Sequence, residues 1–202
     1  PITASSGYSS INGDVFSLVA EKGKVAAPQG GDLDIAGTVM RIPDIHEIPA
    51  PAEFTLKING SVTAALSNLD QEPFKFLTKA TQPVNLAQGN TDITAVLKLP
   101  LKRKILNSDV DYQATAEVHN VSSDRLIKSR VLAASTLTVS ANRTGLKIEG
   151  DATLDGVPVS GEWSQAFGPE NQGKSKVRGK IEITPSALKT FAIALPDGAV
   201  KG

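Results

Sequence analysis

Apolar and polar residues take turns along most of this chain, and a period of two fixes what each segment can bury. Phe54, Leu56 and Ile58 interleave with Thr55, Lys57 and Asn59, and apolar positions recur at Val62, Ala64 and Leu66. Ile93, Ala95, Leu97, Leu99 and Leu101 form a second row, and Val110, Tyr112, Ala114, Ala116 and Val118 a third. Val157, Val159, Gly161, Trp163, Gln165 and Phe167 make a fourth, followed by Val177, Gly179, Ile181 and Ile183. Successive side chains of a strand point to opposite sides, so each row places its apolar members on one face. The pattern predicts an all-β chain of long, twisted antiparallel strands, with one apolar concave face and one wet face. One or two short helices accompany the sheet.

Turn residues agree with this reading. Glu21-Lys22-Gly23-Lys24, Gln29-Gly30-Gly31-Asp32, Asn142-Arg143-Thr144-Gly145 and Leu154-Asp155-Gly156 lie between or within the alternating runs, and Gly and Asn supply the positive φ of hairpin turns. Asn59-Gly60 is open to two readings, a turn or a bulge, because the alternation keeps its register across it. A continuous strand from Ala52 to Asn68 would reach roughly 50 Å, far beyond the usual length. Asn68 to Lys79, with Pro73, Phe74, Phe76 and Leu77, reads as a short helical turn or lid. Pro185 to Phe191 reads as a helix with Thr184 as N-cap and Pro185 at the first helical position, closed by Leu195-Pro196-Asp197-Gly198. The Pro-rich stretch from Ile42 to Pro51 reads as an extended crossing.

Composition removes several function classes. With 21 Lys+Arg against 21 Asp+Glu, the chain lacks the excess positive charge that a nucleic-acid or anionic-membrane surface favours as main partner. No Cys is present, which removes thiol nucleophiles, disulfide scaffolds and zinc fingers. No apolar run is long enough to span a bilayer as a helix. The chain opens Pro1-Ile2-Thr3 without a secretory signal, and reads as a processed chain or a segment of a longer protein.

The residues that carry chemistry do not converge. His46 and His119 read as ordinary surface residues, since neither has a ligand partner at helical spacing. Asp32-x-Asp34 and Asp109-x-Asp111 have calcium-like spacing but lack further oxygen ligands. No nucleophile elbow or Walker loop is present. Lys102-Arg103-Lys104 follows a strand end and reads as a solvated loop tip, with headgroup contact as the alternative. The expectation is a protein that is not an enzyme, with no metal and no cofactor.

Several stretches carry a resemblance. Tyr8-Ser-Ser-Ile-Asn-Gly-Asp-Val-Phe-Ser-Leu-Val-Ala-Glu-Lys-Gly-Lys-Val25 is followed by Pro28-Gln-Gly-Gly-Asp-Leu-Asp-Ile-Ala-Gly37 and Ile42-Pro-Asp-Ile45. Ala65 to Leu77, Leu97-Lys-Leu-Pro-Leu101, Leu137 to Trp163 and Ser186 to Pro196 continue the series. Together these are similar to the central region of the large AsmA-like envelope proteins of Gram-negative bacteria. The resemblance covers most of the chain and carries no catalytic residues. It implies a periplasmic β-groove segment of a longer parent anchored in the inner membrane, with phospholipid passing between the membranes along an apolar trough. Its partners would be phospholipid acyl chains, adjacent groove segments of the parent and other envelope proteins.

The residues themselves admit more than one outcome. A twisted sheet with one apolar face can close on itself, pack against a second sheet, or curl and hold acyl chains. Its aromatic content of 4% suits a smooth trough for flexible chains better than a sugar-stacking platform, although Trp163 and Phe167 alternate. The expected lining is Phe54, Leu56, Ile58, Ile93, Leu97, Leu99, Leu137, Val139, Leu146, Ile148 and Trp163. The alternative is an envelope assembly module that binds partner proteins through its β surface or strand edges. The whole of 1–202 reads as one β-groove segment, divisible into two successive repeat units of about 1–105 and 106–202.

Overall fold

A computed structural model describes residues 2–72, 75–171, 174–182 and 184–192. The first strands are β1 (Ile2–Asn12), β2 (Val15–Ala26), β3 (Asp32–Asp34), β4 (Thr38–Ile42) and β5 (Pro51–Ser61). Helices α1 (Val62–Leu69) and α2 (Phe76–Lys79) follow. Then come β6 (Gln88–Pro100), β7 (Asp111–Ile127), β8 (Arg130–Asn142), β9 (Gly145–Leu154), β10 (Val157–Ala166), β11 (Lys176–Ile181) and α3 (Pro185–Thr190). All the strands belong to one curved 11-stranded antiparallel sheet. Each strand lies beside its neighbour in sequence, except that β3 and β4 share one position between β2 and β5.

The alternating rows became strands where expected. Asn59-Gly60 lies inside β5, paired with Asp92 and Thr91 of β6, and makes no turn. Glu21 to Lys24 likewise lies within β2. The Pro-rich stretch after Ile42 forms the connection from β4 to β5. The alternation from Val62 onward, however, does not continue the strand. Val62, Ala65, Leu66 and Leu69 also recur at i, i+3, i+4 and i+7, and they form α1. Ser61 decides between the two periods: its Oγ accepts the Ala64 N–H at 3.0 Å and donates to the Gly30 carbonyl at 2.7 Å. A cap of this kind stabilises a helix start by about 1 kcal/mol. Gly30, at φ 85°, is itself locked there, because a Cβ would fall 2.4 Å from the Ala64 nitrogen.

The second helix start matches its sequence reading, with Thr184 Oγ1 accepting the Ala187 N–H at 3.1 Å and Pro185 opening α3. Ile183 and residues 193–202, which include the expected stop at Leu195–Gly198, lie outside the described residues, as do Pro73 and Phe74. The division expected near residue 105 falls in the connection between β6 and β7, across which the sheet continues with Lys98 opposite Asp111.

Six antiparallel steps separate β5 from β11, so the two run in the same sense and α1 and α3 leave from the same end of the sheet. Small clusters of fully buried residues gather there. Leu33, Ala64 and Ala65 pack with Val25, Ile58 and Ile93. Val62, Ala87, Val121 and Ala134 pack with Leu66, Val118, Leu132 and Leu137. Helix α3 lies against β10, where Val157 and Ala187 are buried.

Candidate functional site

Pairing register settles which side chains share a face, because directly opposed residues point the same way. Leu18, Met40, Phe54, Leu97 and Tyr112 are opposed in turn across β2, β4, β5, β6 and β7. Leu56, Ala95, Ala114, Ala141 and Leu146 form the next row. Ile58, Ile93, Ala116, Val139, Ile148, Trp163 and Val177 form a third across seven strands. At a strand spacing of about 4.8 Å this row is about 29 Å long. Leu99, opposite Ala52, and Leu137, opposite Val118, fall on the same side. All eleven residues expected to line a trough therefore share one face.

None of the eleven is fully buried; each is half-buried. A sandwich core would have sealed them under a second sheet, and the described strands all belong to one sheet. What lies over the face is α1 at one strand end, with α3 against β10 at the same end. The segment Asn68–Lys79, expected as a cover, is partly α1 itself. Its α2 portion packs on α1, held by Asp70, whose carboxylate accepts from the Thr78 N–H at 2.8 Å and hydroxyl at 2.6 Å. These two bonds hold the Asp70 carboxyl below its usual range, the hydroxyl contributing most.

Beside the third row, Gly150, Gly161 and Gly179 are opposed across β9, β10 and β11. A Cβ at Gly161 or Gly179 would meet backbone atoms only, and Trp163 and Ile148 stand along one flank. Gly150 sits at φ 152°, and a Cβ on it would meet Leu137 Cδ2 at 2.9 Å. The room that Gly161 was expected to leave next to the indole thus extends to Gly179 of β11, while the Leu137 side chain fills it at Gly150.

The opposite face is polar. Asn59, Asp92, Glu117, Thr138, Glu149, Glu162 and Arg178 are opposed in one row. Lys147 bridges Glu149 at 2.8 Å and Glu162 at 3.6 Å, and its ammonium is held above the usual lysine range, chiefly by the hydrogen bond to Glu149. His119 sits between Asp92 Oδ2, 3.1 Å from Nε2, and Thr136 Oγ1, 3.2 Å from Nδ1. His46 pairs with Asp14 at 3.4 Å, and both are exposed. Three of the four aspartates of the Asp-x-Asp pairs have separate partners. Asp32 faces Lys24, Asp34 caps the Ala36 N–H, and Asp109 holds Lys102.

Sequence reasoning missed the β2 and β4 part of the face. Leu18 and Met40 extend the Phe54 row toward β1, and the signal was weak, since Val19 interrupts the alternation of Phe16, Leu18 and Ala20 with Ser17 and Glu21. Compared with known protein families, curated proteins and solved structures, the chain matches none.

Proposed function

We propose that the chain is a non-enzymatic module of the AsmA-like type, whose apolar sheet face holds phospholipid acyl chains and passes them along the envelope. One observation carries the reading: eleven large apolar side chains share one face of a single sheet and stay half-buried. The longest row, about 29 Å, is close to the roughly 30 Å of hydrocarbon that two acyl chains fill end to end in a bilayer. Covering one methylene is worth about 0.8 kcal/mol, so a chain of ordinary length is held without any charged clamp. The rows run across the strands toward β1 and β11, between the helices at one strand end and the loops at the other, which suits passage along the face. In this reading the parent protein is anchored in the inner membrane, the module lies in the periplasm, and neighbouring segments of the parent extend the trough.

A second reading has its own observation. Every residue of β11, and all of β1 except Ser6, is exposed, so both outer strands offer free backbone edges on which a partner strand can pair. An assembly module would use these edges and leave the apolar face empty.

Native mass spectrometry after incubation with phospholipid, paired with uptake of a fluorescent lipid, separates the two. The lipid reading predicts bound phospholipid and saturable uptake. Consistent absence of both, with strand-adding partners still bound, would leave the assembly reading.

A further inference from the structure

The connection from β6 to β7 is one of three long ones at its sheet end, beside those from β4 to β5 (residues 43–50) and from β10 to β11 (residues 167–175). The turn from β8 to β9 takes two residues, whereas this one takes ten, Leu101 to Val110, and it is exposed from Leu101 to Ser108. Its sequence surrounds three basic residues with aliphatic ones: Leu101-Lys102-Arg103-Lys104-Ile105-Leu106. The loop is closed at its base. Lys102 Nζ meets Asp109 Oδ2 at 2.7 Å, the same oxygen accepts the Leu106 N–H at 2.7 Å, and the Asp109 N–H returns to the Leu106 carbonyl at 2.9 Å. The Lys102 ammonium and the Leu106 N–H hold the Asp109 carboxyl below its usual range, the ammonium contributing most. Asp109 is the only acid of the loop, and this clamp occupies it.

Arg103 and Lys104 are then left at the tip without an acidic partner among the described residues. Leu101, Ile105 and Leu106 beside them are 38%, 44% and 51% exposed. Aliphatic side chains flanking free cations match a fluid surface that is apolar inside and anionic at its headgroups. The neighbouring connection, from β4 to β5, carries Asp44 and Glu47, so the free cations on that side of the sheet end lie in the β6–β7 loop.

We propose that the Leu101–Leu106 loop docks on anionic phospholipid membrane, Arg103 and Lys104 meeting headgroups while Ile105 and Leu106 enter the interface. This deepens the lipid reading of the apolar face, because it brings one rim of that face to a lipid supply. It also turns the basic triplet from a solvated tip into a contact.

The test is flotation with phosphatidylcholine vesicles, with or without phosphatidylglycerol, using the wild-type chain, R103S/K104S and I105S/L106S, each checked for its β circular dichroism. Native mass spectrometry of phospholipid carried in solution runs alongside. The expected result is salt-sensitive binding to the anionic vesicles, weakened roughly 30-fold in R103S/K104S, from about fivefold for each basic side chain at the surface. The I105S/L106S variant also loses binding, and phospholipid carried in solution is unchanged in both. Wild-type-like flotation of both variants, or binding to an acidic peptide with none to anionic vesicles, overturns the docking. Intact docking by a chain that never carries phospholipid supports this loop and defeats the trough reading instead.

Discussion

Ile148 stands between Val139 of β8 and Trp163 of β10, in the middle of the longest apolar row. Its half-buried state makes it a discriminating site. In a sealed core, an unpaired carboxylate at this position would cost several kcal/mol and typically unfold a marginal domain. On an open apolar wall the carboxylate keeps contact with water while the protein folds, and it spoils the surface for an acyl chain. We therefore expect Ile148→Asp to lose no more than about 1–2 kcal/mol of stability, while lipid uptake falls at least tenfold. Chemical denaturation and the fluorescent-lipid assay measure the two effects separately. A variant that folds and takes up lipid normally would place this row outside the binding surface.

The short helices show where sequence reading succeeds and where two signals compete. Thr184-Pro185 was legible as a helix start because an N-cap followed by Pro has one reading. Val62 to Leu69 fits periods of two and of 3.6 alike, and its arbiter lies outside the segment. Ser61 is tied to Gly30, and Ser67 Oγ donates to the Gln29 carbonyl at 2.9 Å, so a turn 31 residues upstream in sequence anchors the helix. That tertiary tie leaves no periodic trace. The eleven face residues were legible because period two alone determines them once the strands pair in register. How one end of the face is covered was not, since that depends on α1 and α3.

Helix α3 depends on one charged link. Arg130 Nη1 donates to Asp155 Oδ2 at 2.8 Å and to the Thr190 carbonyl at 2.9 Å, and its guanidinium lies 5.1 Å from the Phe191 ring centre. Asp155 Oδ1 also accepts the Val131 N–H at 2.8 Å. The Val131 N–H first and the Arg130 guanidinium second hold the Asp155 carboxyl below its usual range. A carboxyl depressed on folding contributes its full stabilisation above the unfolded value of about 4, and loses it as pH falls through the lowered value. Acid below about pH 4 should therefore loosen α3 before the sheet. Asp155→Asn should do so at neutral pH. Hydrogen exchange at the Leu188 and Phe191 amides reports both, and unchanged protection in the variant would remove Asp155 from the account of α3.

At the scale of the whole molecule, the governing fact is a wide sheet with one apolar face that, among the described residues, has no second layer over most of it. Eleven partly exposed side chains, each worth about 2 kcal/mol when fully covered, leave roughly a few kcal/mol of burial unrealised. That is a sizeable share of the stability of an ordinary domain. In the proposed lipid reading acyl chains cover this surface, and flexible hydrocarbon fits rows that are mostly Ala, Val, Leu and Ile. Trp163 is the single Trp of the chain, stands in the longest row beside the Gly150–Gly161–Gly179 strip, and so reports on that surface alone. The most direct measurement is quenching of its fluorescence by phospholipid brominated along the acyl chain, compared with aqueous iodide in the lipid-loaded protein. The account predicts strong quenching by the brominated chains and weak quenching by iodide. Strong iodide quenching with none from the brominated lipid would show that the apolar face does not hold acyl chains.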